Sequence, residues 1–203
     1  DPILPISTPE SYSKELARKF GSFYTKGLPA DWNARDNGIL DDEEFLAQDD
    51  IVLKERMAMY EYELNRFESG LFFYYLSSAD QRQHEFWRHI DKQNVTYDPE
   101  KAKRFGREIE KIYIKADEMV DMALRKADKD TVVMVLSDHG FAPFRREFNL
   151  NTWLKEAGFH SLINPWRQGK DAFFANTNWS KTRAYNIGLN GLYINERGRE
   201  AEG

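Results

Sequence analysis

The sequence contains no cysteine. That excludes disulfides, thiolate nucleophiles and cysteine-zinc centres, so a metal site in this chain must be built from His, Asp and Glu. The absence does not fix the compartment, because cysteine-free proteins occur in both reducing and oxidising surroundings. No apolar stretch approaches the roughly 18 residues of a membrane span, so no span is expected. Neither a Gly-x-Gly-x-x-Gly fingerprint nor a Walker loop is present, and nothing points to a dinucleotide or P-loop nucleotide site. Positive charge is not in excess: the formal net charge is -5. A nucleic-acid partner is therefore not expected. Internal repeats, coiled-coil heptads and low-complexity tracts are also missing. The chain opens at Asp1 without an initiator Met or signal-peptide pattern and stops at Gly203 without a terminal element. The expectation is a fragment of a longer protein, of open localisation that leans cytoplasmic.

What is present has a globular composition, with 31% charged, 41% hydrophobic and 14% aromatic residues among 203. That length allows one domain, or one plus an appendage. Thr8-Pro9-Glu10 reads as a helix start and Gly21 as its stop. Residues 21–40 read as irregular. Asp41 opens a second helix with Glu44 at the capping-box position, and Leu53, Met57, Tyr60, Leu64 and Phe67 form its apolar stripe. Asp98-Pro99 begins a long helix whose stripe runs Ala102, Phe105, Ile109, Ile112, Ala116, Met119, Ala123. Its opposite face, with Arg104, Glu108, Lys111 and Lys115, reads as solvated. A short helix is expected over 150–157, ending at Gly158, with loop over 161–181. Strands 182–187 and 192–195 flank Gly188-Leu189-Asn190-Gly191 as a hairpin candidate.

Two apolar runs carry the chemistry. Leu71–Leu76 and Val132–Leu136 read as strands of a parallel sheet buried on both faces. The first leads through Ser77-Ser78-Ala79 to Asp80, with His84 four residues on. On a helix that spacing puts carboxylate and imidazole on one face. The second run leads through Ser137 to Asp138-His139-Gly140, where the glycine permits the bend that would let both side chains reach one ion. A strand–helix–strand crossover would set both Asp/His pairs along one sheet edge, where open parallel sheets bind ligands. Asp80 as a helix cap, His84 as a surface residue and Asp-His-Gly as an ordinary turn remain the alternatives to a metal or anion site. His89 reads as a surface or phosphate-facing residue, and His160 as a loop residue.

The elements Ser78-Ala79-Asp80-Gln81-Arg82-Gln83-His84-Glu85-Phe86-Trp87 and Ser137-Asp138-His139-Gly140-Phe141 together resemble the alkaline phosphatase superfamily. The likeness is closest to its type I phosphodiesterase/nucleotide pyrophosphatase branch, with its predicted phosphohydrolases and phosphomutases. Asn149–Leu154 and Tyr193–Glu200 add weaker support. The resemblance implies an α/β fold, a partial three-layer sandwich with a mostly parallel sheet. It implies a core fragment over 69–203 and a helical, cap- or insertion-like segment over 1–68. It further implies a phosphoric ester hydrolase acting on a phosphate ester or nucleotide-like small molecule. Two divalent ions are implied, zinc first and manganese as the alternative. Asp80 and His84 would serve one ion, Asp138 and His139 the other. The family's Thr or Ser nucleophile, a first aspartate and a further histidine find no match, since Ser7, Thr8, Ser22 and Thr25 lie in helix-start or loop contexts. The chain alone is therefore expected to be inactive. A phosphomutase of the same superfamily and a non-catalytic interaction module are the competing readings.

Overall fold

In a computed structural model, which describes residues 5–167, 169, 174–189 and 191–203, helices predominate. Most begin where the sequence supplies a cap. Asp41 accepts the backbone N–H groups of Glu43 and Glu44, and the Glu44 carboxylate accepts the N–H of Asp41 at 2.9 Å. This reciprocal box starts α3, Asp42–Arg66, the longest helix. Before it come α1, Glu10–Phe20, stopped by Gly21 at φ 78°, and α2, Trp32–Asp36, capped by Asp31. Helix α4 spans Ser77–Phe86 and runs on into a single 3-10 turn, Trp87–His89. Asp98 caps α5, Pro99–Phe105, with proline at the first turn, and α6 follows as Glu108–Lys126. Asn149 caps α7, Leu150–Glu156.

The chain divides into two compact units, Asp1–Arg145 and Arg146–Gly203. In the first, Ala30, Phe45, Phe86 and Phe105 form one buried cluster, and Tyr60, Leu64 and Met119 form another. The Tyr60 hydroxyl donates to the Met119 carbonyl at 2.8 Å, tying α3 to α6 inside that second cluster. Residues 1–68 thus share a unit with the helix that carries Asp80. In the second unit, β1 (Ala184–Ile187) and β2 (Gly191–Ile194) pair antiparallel with Ala184 opposite Ile194. Asn151 fastens α7 to β1 by donating to the Asn186 carbonyl and accepting its N–H. Gly188 takes φ 71° in the connecting turn, and Asn190 lies outside the described residues. So do 168 and 170–173 of the expected loop; Pro165–Arg167 and Trp179–Lys181 are single 3-10 turns within it.

Several expectations of the fold differ from what is found, the first being α2, a short helix inside 21–40 where irregular chain was expected. The long helix after Asp98 is two helices, broken at Gly106-Arg107. Glycine is a poor helix former, and the break still leaves Phe105, Ile112 and Met119 buried as the stripe requires. Glu108 is buried rather than solvated: it faces Arg82 at 3.6 Å and Lys111 at 2.5 Å. Finally, neither 71–76 nor 132–137 joins a ladder among the described residues, where the only sheet is the β1–β2 pair. Residues 71–76 still alternate as a strand does. Phe72, Tyr74 and Leu76 pack on the Tyr60–Leu64–Met119 cluster, while Leu71, Phe73 and Tyr75 are exposed. In 132–136 every side chain is exposed. A strand covered on both faces needs neighbours on either side, and none of the described elements fills those places.

Candidate metal centre

Helix α4 is clamped on one face and open on the other. Ser78 and Arg82 point inward to Asp49 of α3, at 2.7 Å from Ser78 Oγ and 2.5 Å from Arg82 Nε. Two residues further along a helix is a rotation of about 200°, so Asp80 and His84 emerge on the opposite side. Asp80 is half-buried and the His84 ring is mostly exposed.

His139 arrives from the segment after 132–137. Its Nε2 lies 3.6 Å from Asp80 Oδ1, and His84 Nε2 lies 3.4 Å from the same oxygen. One donor atom from each of the three residues falls within 4.8 Å of the other two. Bonds of about 2.0–2.1 Å to a tetrahedral ion place ligand atoms about 3.3–3.4 Å apart. The two separations from Asp80 are near that value, so one carboxylate oxygen and two imidazole nitrogens could hold a divalent ion here. His139 Nδ1 lies 3.1 Å from the Gly140 carbonyl. A proton held there leaves the Nε2 lone pair aimed at the Asp80 side, the usual orienting contact of a metal-ligating imidazole.

Phe141 packs against both histidines, with ring centroids 4.8 Å from His84 and 5.3 Å from His139, and stacks on Trp87. It is an apolar wall that limits where the imidazoles can swing. Nothing in the spacing of the two motifs pointed to it, although it directly follows Asp-His-Gly. Tyr75 is the other residue the sequence did not single out. Burial raises its hydroxyl above the ordinary tyrosine range, and the charges of Asp80 and Asp138 add to the rise.

The two sequence pairs do not stay separate. Asp80, His84 and His139 form one group, and Asp138 sits beside it, exposed, 3.7 Å from His139 Nε2. Gly140 does not take a left-handed φ, and a Cβ there would meet nothing within 4 Å, so the approach does not depend on that glycine. The Ser137 hydroxyl is turned to the His139 carbonyl. The remaining histidines are elsewhere. His89, expected at the surface, is buried between Phe86 and Phe105, and His160 is buried with Nε2 2.9 Å from Thr177 Oγ1. Both rings complete aromatic or polar packing, which a helix-turn position and a loop position do not reveal in sequence.

The model of one protein family, type I phosphodiesterase / nucleotide pyrophosphatase, matches residues 7–202. The chain belongs to that family. Through it the chain is a member of the alkaline phosphatase superfamily, as the paired Asp/His elements imply. The family is one of phosphoryl-transfer hydrolases acting on phosphate esters or nucleotides, and it is typically metal-dependent. No curated protein and no solved structure matches the chain. No helix among the described residues is long and apolar enough to cross a membrane.

Proposed function

We propose that this chain carries the metal-binding half-site of a phosphodiesterase or nucleotide pyrophosphatase. The observation that carries the reading is the convergence of Asp80, His84 and His139 within ion-ligating distance inside the family match. Those three residues hold one divalent ion, zinc by donor chemistry with manganese as the alternative. Asp138, already beside His139, is assigned to a second ion together with residues outside this chain. When bound, such an ion supplies Lewis-acid polarisation of a phosphoryl oxygen. The nucleophile is assigned to a Thr or Ser outside the chain; the hydroxyl of Ser137, next to Asp138 in sequence, is engaged by a backbone carbonyl. In the same reading, 71–76 and 132–137 become strands of a parallel sheet in a three-layer sandwich, and residues 1–68 shape access to the site.

Zinc titration of the chain, followed calorimetrically, tests the half-site. Asp80→Asn and His84→Ala should each weaken zinc binding at least tenfold while leaving the helical circular dichroism intact. Equal affinity in the unmodified chain and both variants would remove the assignment. In the longer protein, the same variants should abolish hydrolysis of a phosphodiester such as bis-p-nitrophenyl phosphate.

A further inference from the structure

The segment that delivers His139 has little holding it on the near side. Residues 131–140 are exposed throughout, and no backbone group of 132–148 hydrogen-bonds to another backbone group among the described residues. The grip comes after His139, through side chains that meet α4 and the turns continuing it. Phe141 stacks on Trp87 with ring centroids 6.2 Å apart, and the Asn94 side-chain amide donates to the Phe144 carbonyl at 3.1 Å. Arg145 closes on Asp91 with two arms of its fork, Nε 2.7 Å from Oδ2 and Nη2 2.8 Å from Oδ1. Its third nitrogen, Nη1, donates to Gln93 Oε1 at 2.6 Å. A guanidinium paired with a carboxylate by two parallel bonds fixes direction as well as distance. Asp91 is itself set in place. It is buried, its Oδ1 also accepts the Gln93 N–H at 3.1 Å, and its own N–H donates to the Trp87 carbonyl at 3.1 Å. One helical rod thus carries Asp80 and His84 and, past its end, the ring and the carboxylate that hold the chain bringing His139.

We propose that Asp91 and Arg145 are a positioning pair for the candidate metal centre, a latch that seats His139 against Asp80 and His84 from the C-terminal side of the Asp-His-Gly element. The pair acts through His139 and supplies no donor atom to the group. A ligand already in place binds without the cost of ordering the chain that bears it. Opening the latch therefore lowers ion affinity while all three donors remain. The effect on the ion rests on the half-site reading; the seating of the segment does not.

The test uses the whole chain and two readouts. In excess chelator, nuclear Overhauser contacts of the Phe141 ring with Trp87 and His84 report the seated segment. Arg145→Ala should remove most of their intensity while the helical circular dichroism stays intact, since Arg145 is exposed. Arg145→Lys, which keeps the charge but not the fork, should fall between the two. In zinc titrations Arg145→Ala should weaken binding about tenfold, the scale of lost outer-shell support. In a His139→Ala background it should cost nothing further, because the ligand it positions is gone. Equal losses in both backgrounds would make Arg145 a general stabiliser and overturn the proposal. Zinc affinity unchanged by Arg145→Ala overturns it too. So do Phe141 contacts that are absent from the unmodified chain or persist undiminished in Arg145→Ala. A chain that shows those contacts, loses them in Arg145→Ala and yet binds no zinc would sink the half-site reading and leave the latch standing.

Discussion

His89 shows how one side chain can couple stability to pH. Its ring lies between Phe86 and Phe105, and neither nitrogen finds a hydrogen-bond partner. Asp42 Oδ2 is 3.5 Å away, a carboxylate that would ordinarily recruit a proton onto the ring. Asp42 is, however, already engaged by Arg35, Arg88 and Lys101. Burial opposes its ionisation, yet the Lys101 hydrogen bond and the charges of Arg88 and Arg35 hold it below the usual carboxylate range. Burial first, and then the Arg88 charge, lower His89 from 6.5 to about 4. A histidine depressed in the folded state takes up its proton first in the unfolded chain. The stability it withholds is absent above pH 6.5 and grows as pH falls towards 4, up to about 3 kcal/mol. Urea denaturation between pH 7.5 and 4.5 should therefore show falling stability, and His89→Leu should flatten much of that slope. His160, also lowered by burial, leaves a remainder. An unchanged slope in His89→Leu would show that the ring is hydrated in solution.

At the scale of elements, the decisive contact is the seat of α4 on α3. Asp49 is fully buried and receives Ser78 Oγ and Arg82 Nε, while Arg82 also reaches Asp50 and Glu108. Removing one partner of a buried, hydrogen-bonded charge pair costs about 3–5 kcal/mol, because the other is left uncompensated. Asp49→Ala should therefore destabilise the first unit by about that amount in denaturant titrations. It should also weaken zinc binding, since the helix presenting Asp80 and His84 loses its anchor. A double-mutant cycle with Arg82→Met should return part of the loss; strict additivity would mean the two residues act independently. None of this pairing was legible in the sequence, where Asp49 and Arg82 look like ordinary helix-surface charges. The local signals were legible: the Asp41 box, the Asp98-Pro99 start, the Gly21 stop and the hairpin all stand where their residues place them. The i,i+4 spacing of Asp80 and His84 was also sufficient to put them on one face. Capping and period act over a few residues, whereas Asp49–Arg82 and Asp80–His139 join positions 33 and 59 residues apart.

For the molecule as a whole, the open question is what the two apolar runs do when no sheet covers them. Residues 71–76 are strand-like in alternation, with one face packed on helices and the other bare, and 132–136 present Val132, Met134, Val135 and Leu136 to solvent. Extended backbone with exposed β-branched and aromatic side chains is a template for pairing with another chain, and a contiguous apolar patch of this kind drives association. The sequence alone reads these runs as buried strands, because hydrophobicity records what a segment prefers to touch, not whether that partner is present. The net charge of -5 gives only weak opposition. The isolated chain should accordingly self-associate, with a sedimentation coefficient that rises with concentration and with enhanced fluorescence of an apolar dye. Met134→Lys combined with Leu136→Lys should return it to monomer and reduce dye binding several-fold, while leaving the two helical clusters and their denaturation midpoint unchanged. A wild-type chain that stays monomeric and dye-silent at high concentration would mean that these residues cover one another in solution, and the parallel pairing of 71–76 with 132–137 would then be the first arrangement to test by inter-strand cross-linking.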